Sequence, residues 1–555
     1  MKHLFRIAVI GVFLAIGSPT CAEAFFDTYP KNPNIDVINY IFRLDLSDTT
    51  DEIVGEATVD VRFLVDGIQE VRLDLTNASK DLSGKGMNVS RVTGDGKAVE
   101  YRHENNVLLI KLPTASKANQ REKFTIFYKG IPATGLKIAN NKYGDRTFFS
   151  DNWPDKGRNW LPTVDHPSDK AMCEFIVTAP NHYQVVSNGL KIEETDLPGN
   201  RRVTHWKQSV PIASWLYVLG VARFAVQYVD EFEGKSIQTW VYHQDRDAGF
   251  YDFDVVTKKA LAFYSDAVGP FPYEKLANIQ SNSVSGGMEA ASAILYSENS
   301  VVGDRNVRWR NVVIHEIAHQ WFGNSVTEKD WDEIWLSEGF ATYFTLLFIE
   351  HQYGRDEFVE GLRSSKKSVD AFYLKNPNYR LVHDNLKDMK DVTTSQIYQK
   401  GSWTLHMLRG VVGTESFWKG IRAYYRQYRD SHATVADFRR VMEEVSGKQL
   451  SGFFDQWLYK PGTLKYKGHW SFDANKKQVV IVLDQVQTDG SLFKMPVQVA
   501  VHYPGQAKPQ MQTVQADAKS NIFSINVSGE PEKVLLDPDM WILMDADFKK
   551  TGFGL

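Results

Sequence analysis

The sequence predicts a multidomain α+β protein: a large N-terminal antiparallel β domain with sheets burying one face each, a mostly helical middle domain and a small C-terminal β-sandwich. Three observations predict it. Apolar residues recur at period two over residues 25–225, at helical spacing over 226–462, and at period two again over 463–555. At 555 residues and 43% apolar content the chain has material for several packed cores.

Residues 1–24 read as an export signal. Lys2, His3 and Arg6 form a basic start, Ile7 to Ile16 an apolar core, and Ala22-Glu23-Ala24 a run suited to cleavage. Ten residues rise only about 15 Å as a helix, about half a bilayer, so a retained span is not expected. The chain is therefore expected to be periplasmic or secreted. A lipid anchor at Cys21 is the lesser alternative, because Pro19 and Thr20 suit it poorly. Processing leaves Cys173 as the only cysteine, so no internal disulfide is expected. The net charge of −4 and the absence of long Lys/Arg runs exclude nucleic acid as an expected partner.

The first domain rests on clean alternation: Tyr40, Phe42, Leu44 and Leu46; Ala57, Val59, Val61 and Phe63; Val71, Leu73 and Leu75; Phe124, Ile126 and Tyr128. Turns at Asp95-Gly96 and Asn188-Gly189 punctuate such runs. In the middle domain, Asp252 to Gly269 is an amphipathic helix that Pro270 and Pro272 cannot continue. Two later helices are expected to begin at capping threonines, Thr414 and Thr434, the second closing at Gly447. After Pro461-Gly462, strands return at Val479 to Leu483, at Val497, Val499, Val501 and Tyr503, and from Val534.

The chemistry concentrates between His315 and Phe340. On a helix, His315 and His319 project from one face a turn apart and can bind one metal ion. Glu316 lies off that axis, where it approaches the metal's open side instead of ligating it. Glu338, with 18 residues between it and His319, can return a carboxylate as third ligand; the competing reading is a core ion pair. Two nitrogens and one carboxylate oxygen leave tetrahedral zinc a position for water, the mark of a catalytic site.

Four motifs in order, Gly286-Gly287-Met288-Glu289, HEIAHQWFGN from His315, WLSEGFA from Trp335 and YQKGS from Tyr398, together resemble the gluzincin aminopeptidases, the group of aminopeptidase N and the leukotriene hydrolase. The resemblance implies a β saddle, a thermolysin-like catalytic domain and a small β-sandwich, in a short form lacking the large C-terminal helical domain of many relatives. It implies one Zn2+ per chain on His315, His319 and Glu338, attack by a zinc-bound water with Glu316 as general base, and Tyr398 as hydrogen-bond donor to the oxyanion. Gly286, Gly287, Met288 and Glu289 would bind substrate, Glu289 taking the ammonium of peptides with a free N-terminus.

Two positions depart from the family pattern. Ala290 stands where Asn is usual, and Trp153 where Gln or Glu precedes the arginine matched by Arg158; Asp151, Asn152 and Asp155 are nearby candidates to compensate. Asp165, His166 and His406 read as structural, and Asn324 and Asp330 as candidates to orient the histidines from behind. Two other functions fit the ligand set, a thermolysin-type endopeptidase and a non-catalytic peptide-binding relative. No feature sets the oligomeric state or the preferred first residue of a substrate.

Overall fold

The computed structural model describes residues 27–552 except 384, 385 and 387. The expected export signal and Cys21 lie outside the described residues. No helix among those described is long and apolar enough to cross a membrane.

An eight-stranded sheet dominates the N-terminal part, in the order Leu190–Leu197, Arg201–Ala213, Lys170–Pro180, Ile35–Asp45, Ile53–Phe63, Arg121–Ile131, Gly86–Gly94, Lys97–Ala98. Its expected alternation holds: Tyr40, Phe42, Leu44, Val59, Val61, Phe124 and Ile126 are all buried on one face. The sheet is antiparallel except where Ile35–Asp45 lies parallel to Lys170–Pro180, with Tyr40 opposite Cys173. Alternation reports which face is buried and carries no information on strand direction, so this one pairing departs from the antiparallel expectation. A four-stranded sheet (Gln184–Ser187, Leu219–Ala222, Arg146–Ser150, Leu136–Asn140) and a three-stranded one (Glu70–Asp74, Val107–Lys111, Tyr101–Glu104) complete this part.

The middle part opens with a five-stranded sheet, in the order Phe224–Phe232, Lys235–Tyr242, Lys275–Ser281, Ala293–Ser297, Gly287–Met288. Its first strand runs across residues 225 and 226 and pairs with Lys235–Tyr242. Eight helices follow among the described residues: α1 Arg246–Ala267, α2 Val307–His319, α3 Trp335–Tyr353, α4 Arg355–Tyr373, α5 Ser395–Val412, α6 Thr414–Tyr428, α7 Val435–Ser446 and α8 Ser451–Leu458. Helix α7 begins with a reciprocal capping box between Thr434 and Asp437 and ends at left-handed Gly447. Helix α6 does not begin as expected. Its N-cap is Gly413, at φ +87°, and Thr414 is already helical, its hydroxyl accepting from Arg409 Nε at 3.2 Å. A tight junction after α5 needs positive φ, which glycine supplies and threonine does not.

The C-terminal strands form a four-stranded sheet (Ser520–Asn526, Gln478–Gln485, Leu464–Asp473, Met544–Lys550) and a three-stranded sheet (Gln510–Ala516, Met495–His502, Lys533–Leu536). They dock on α5 through His406. Its ring stacks on Trp541 at 4.9 Å, Nε2 donates to the Met540 carbonyl at 3.0 Å, and Nδ1 accepts from the Tyr343 hydroxyl at 3.0 Å.

Candidate metal centre

Helix α2 starts at Asn306, whose side chain accepts from Arg308 N, and buries Val313, Ile314, Ile317 and Ala318. The turn of helix between His315 and His319 brings their Nε2 atoms to 3.1 Å. The chain then folds back through the short strand Val326–Glu328, so that Glu338 stands in the first turn of α3. Its Oε2 lies 3.4 Å from His315 Nε2 and 3.2 Å from His319 Nε2, without the alignment of a hydrogen bond. Zinc bonds of about 2.0–2.1 Å give a tetrahedron with edges of about 3.3–3.4 Å, close to these three separations. His319 Nδ1 donates to the Phe322 carbonyl at 3.1 Å and also meets Ser337 Oγ at 3.1 Å, which leaves the Nε2 lone pair facing the centre. Gly323 makes room for this: at φ +101°, a Cβ there would stand 2.1 Å from Ser337 Oγ.

Two further carboxyls crowd the same cavity. Ligand atoms of Glu289, Glu316 and His319 all lie within 4.8 Å of one another. Glu316 packs over Gly287, where a Cβ would come within 2.1 Å of its Oε1. Burial raises Glu316 well above the usual carboxylate range, and the charge of Glu289 adds to it. Burial likewise pushes Glu289 up to about 7. Burial would also raise Glu338, but the two imidazoles hold it down to about 2. His319, which burial alone would lower, is raised to about 10 by Glu289 and Glu338. Three buried acids around two imidazoles favour a cation, and the donor set and its spacing fit a zinc ion.

Tyr398 comes from α5. Its ring stacks on that of His315 at 6.0 Å, and burial, reinforced by the charges of Glu338, Glu289 and Glu316, holds the phenol protonated well above its ordinary value. Gly287 and Met288 form a short edge strand opposite Tyr296 and Leu295, and the Gly286 carbonyl accepts from Ser297 N at 2.8 Å. The structure thus brings His315, Glu316, His319, Glu338, Glu289, Gly287 and Tyr398 around one centre.

A model described as the Peptidase family M1 domain matches residues 251–457, and one described as the Peptidase M1 N-terminal domain matches residues 37–216. The chain belongs to the M1 peptidase family. It is similar to the probable aminopeptidase 2 of Sulfurisphaera tokodaii, 27% identical over 394 residues covering 69% of this chain and 50% of that protein. The puromycin-sensitive aminopeptidase of Caenorhabditis elegans is 25% identical over 485 residues, 80% of this chain and 50% of its own. This chain spans about half the length of both relatives. Its fold matches the crystal structure of Legionella pneumophila aminopeptidase A in complex with aspartic acid, with a TM-score of 0.81 at 18% identity, over 95% of this chain and 61% of that one.

In this M1 peptidase several expected neighbours of the centre sit elsewhere. The Asn324 side chain reaches neither imidazole; its amide donates to the Glu289 carbonyl at 2.6 Å, while its backbone N donates to the His319 carbonyl at 3.1 Å. Asp330 accepts from Asp27 N at 3.0 Å and pairs with Lys31. Asp27, His166 and Asp330 cluster like metal ligands, yet the Lys31 ammonium already provides the positive charge there. Phe322 O and Ser337 support His319 instead, and Gln320 Nε2 donates to the Glu289 carbonyl at 3.0 Å. Gln320 and Asn324 lie inside the motif that carries the histidines. Only contacts from a distant loop reveal what they hold, which is why residue type and spacing left Gln320 without a role and aimed the Asn324 side chain at the histidines.

Around Trp153 the three candidates divide. Asn152 is committed to Tyr217 O and Trp160 Nε1, and Asp155 lies 3.6 Å from Arg158. Asp151 pairs with Lys156 at 2.7 Å, and its charge reaches Glu289. Trp153 packs edge-on against Trp215 and Trp331 and donates to Thr393 Oγ1 at 3.3 Å. Ala290 is buried, its carbonyl accepting from Ala293 N.

Proposed function

We propose that this protein is a zinc-dependent aminopeptidase, exported by residues 1–24, which releases the first residue of peptides with a free amino terminus. Glu289 is the observation that carries the reading. It is a buried carboxyl whose Oε1 has no hydrogen-bond partner, 4.0 Å from His319 Nε2. Burying a carboxylate without a partner is costly. A substrate ammonium offsets that cost and at the same time sets the first peptide carbonyl beside His315, His319 and Glu338. An endopeptidase has no use for such a group.

His315, His319 and Glu338 would hold a zinc ion, which when bound would supply Lewis-acid polarisation of the scissile carbonyl and lower the pKa of a water at the centre. Glu316 takes a proton from the attacking water on its carboxylate and passes it to the nitrogen of the departing amine. Its raised proton affinity suits a group that must hold that proton between the two events. The Tyr398 hydroxyl donates a hydrogen bond to the oxyanion as the carbonyl becomes tetrahedral. Glu289 holds the ammonium throughout.

The test compares an alanyl-anilide with its N-acetylated form. The free amine is expected to be cut at least a hundredfold faster, and Glu316→Gln is expected to lose about a thousandfold in kcat. Equal turnover of the acetylated substrate would overturn the aminopeptidase reading in favour of an endopeptidase. Undiminished turnover by Glu316→Gln would overturn the mechanism.

A further inference from the structure

We propose that the N-terminal β domain sets the selectivity for a free amino terminus by positioning Glu289 through a relay, Lys170 to Asn324 to the Glu289 carbonyl. The inference rests on the reading of Glu289 as the ammonium anchor.

Lys170 begins a central strand of the eight-stranded sheet and is buried. Its Nζ donates to three carbonyls, Asn324 at 3.0 Å, Ser325 at 2.8 Å and Ser431 at 3.1 Å, one for each hydrogen of an ammonium. The first two belong to the turn that follows α2, immediately after the helix that carries His315 and His319. From that turn the Asn324 amide donates to the Glu289 carbonyl at 2.6 Å, and Gln320 donates to the same oxygen at 3.0 Å.

The β domain also grips the far end of this loop. Asn188 Nδ2 donates to the Ala291 carbonyl at 2.7 Å, and Gly189 N donates to Ser292 Oγ at 2.8 Å. Lys275, from the middle sheet, ties Ser187 O at 2.9 Å to Ser292 O at 3.2 Å. The loop from Glu289 to Ser292 is therefore anchored at both ends.

Glu289 needs this support because its own Oε1 has no hydrogen-bond partner that would fix its direction, only the His319 ring 4.0 Å away. Its aim has to come from its backbone. A methionine at position 170 would fill the same volume without the desolvation that pushes this lysine down to about 7. What the lysine adds is three donors directed at the turn, and the turn is what holds Asn324 against Glu289.

A role confined to joining the domains would disturb the whole centre alike, whereas a positioning role disturbs amine recognition alone. The experiment measures inhibition of wild type and Lys170→Met by acetohydroxamate, which engages the metal only, and by leucine hydroxamate, which also presents an amine. Zinc content and acetohydroxamate inhibition are expected to stay at wild-type values. Leucine hydroxamate is expected to weaken roughly tenfold, with a matching rise in KM for alanyl-anilide at little cost in kcat.

Asn324→Ala is expected to give the same shift, and the double variant no more than either single change. An unchanged ratio of the two inhibition constants in a folded, zinc-loaded Lys170→Met overturns the proposal. If that variant does not fold, Lys170→Gln, which keeps two donors on a shorter stem, decides it by the same ratio: shifted supports, unchanged overturns. Wild type that binds both hydroxamates alike and cuts acetylated anilide freely would show the failure to lie in the reading of Glu289. Wild type that discriminates, beside variants that discriminate equally, would place it in the relay.

Discussion

Gly339 and Gly401 touch where helices α3 and α5 cross: a Cβ on Gly339 would stand 2.9 Å from the Cα of Gly401. Glu338 is the residue before one glycine, and Tyr398 lies one turn before the other. The closeness of the two backbones sets the distance between a metal-type ligand and the phenol that faces the same centre. Alanine at position 339 must part the helices, although alanine is the better helix former by about 1 kcal/mol. Gly339→Ala is therefore expected to lower both Tm and kcat, the latter by tenfold or more, with KM nearly unchanged. Thermal melts and steady-state kinetics check it; a raised Tm with wild-type kcat would contradict the crossing as the cause.

Gly287 has a parallel role for Glu316, the proposed general base. A methyl group there cannot coexist with Glu316 where it stands, so Gly287→Ala has to displace the carboxylate. The expected outcome is a loss of roughly a hundredfold in kcat with zinc content intact. Elemental analysis beside the kinetics separates this from loss of the ion.

Removing the metal should act on stability as well as on turnover. Three buried carboxyls face two imidazoles at the centre, and a ligand that binds only the folded state at a thousand times its Kd stabilises it by about 4 kcal/mol. Dialysis against a chelator is expected to abolish activity and to lower Tm by a few degrees, and added zinc to restore both. His319→Ala should melt like the chelated protein and gain nothing from zinc.

His406 carries a prediction about acid. Burial pushes its pKa down to about 3 from 6.5, in the pocket where its ring joins α5 to Met540 and Trp541. Above pH 6.5 both folded and unfolded chains keep the ring neutral, and its contribution to stability is complete. As pH falls from 6.5 towards 3, the unfolded chain takes up a proton that the folded one refuses, so stability is lost at up to about 1.4 kcal/mol per pH unit. His432, lowered by burial to about 3, acts in the same sense. Tm of His406→Gln measured between pH 7 and 4 should therefore fall less steeply than that of wild type, though from a lower starting value.

Some of this could be read from local pattern. A spacing of four positions on a helix places both imidazoles on one face whatever the surroundings, and alternation marks the buried face of a strand. Where the outcome depended on a partner far along the chain, pattern was insufficient. Thr414 looks like an N-cap, but the junction with α5 puts Gly413 there. Asn324 sits beside the ligand helix, yet its amide serves a carbonyl 35 residues away. The parallel pairing of Tyr40 with Cys173 joins strands with no hairpin between them to set their direction.

The kinds of atoms available at the centre, two imidazoles, several carboxyls and a phenol, were determined by the sequence alone, because residue type and helical spacing are properties of a few consecutive positions. That the Glu338 carboxylate, named by spacing as one candidate, stands between the imidazoles, that Glu289 Oε1 is buried without a hydrogen bond, and what holds Glu289 there were decided only by the tertiary structure. Those depend on how closely helices approach at Gly339 and Gly401, and on a lysine brought from another domain, and packing settles such distances only when the whole chain has folded.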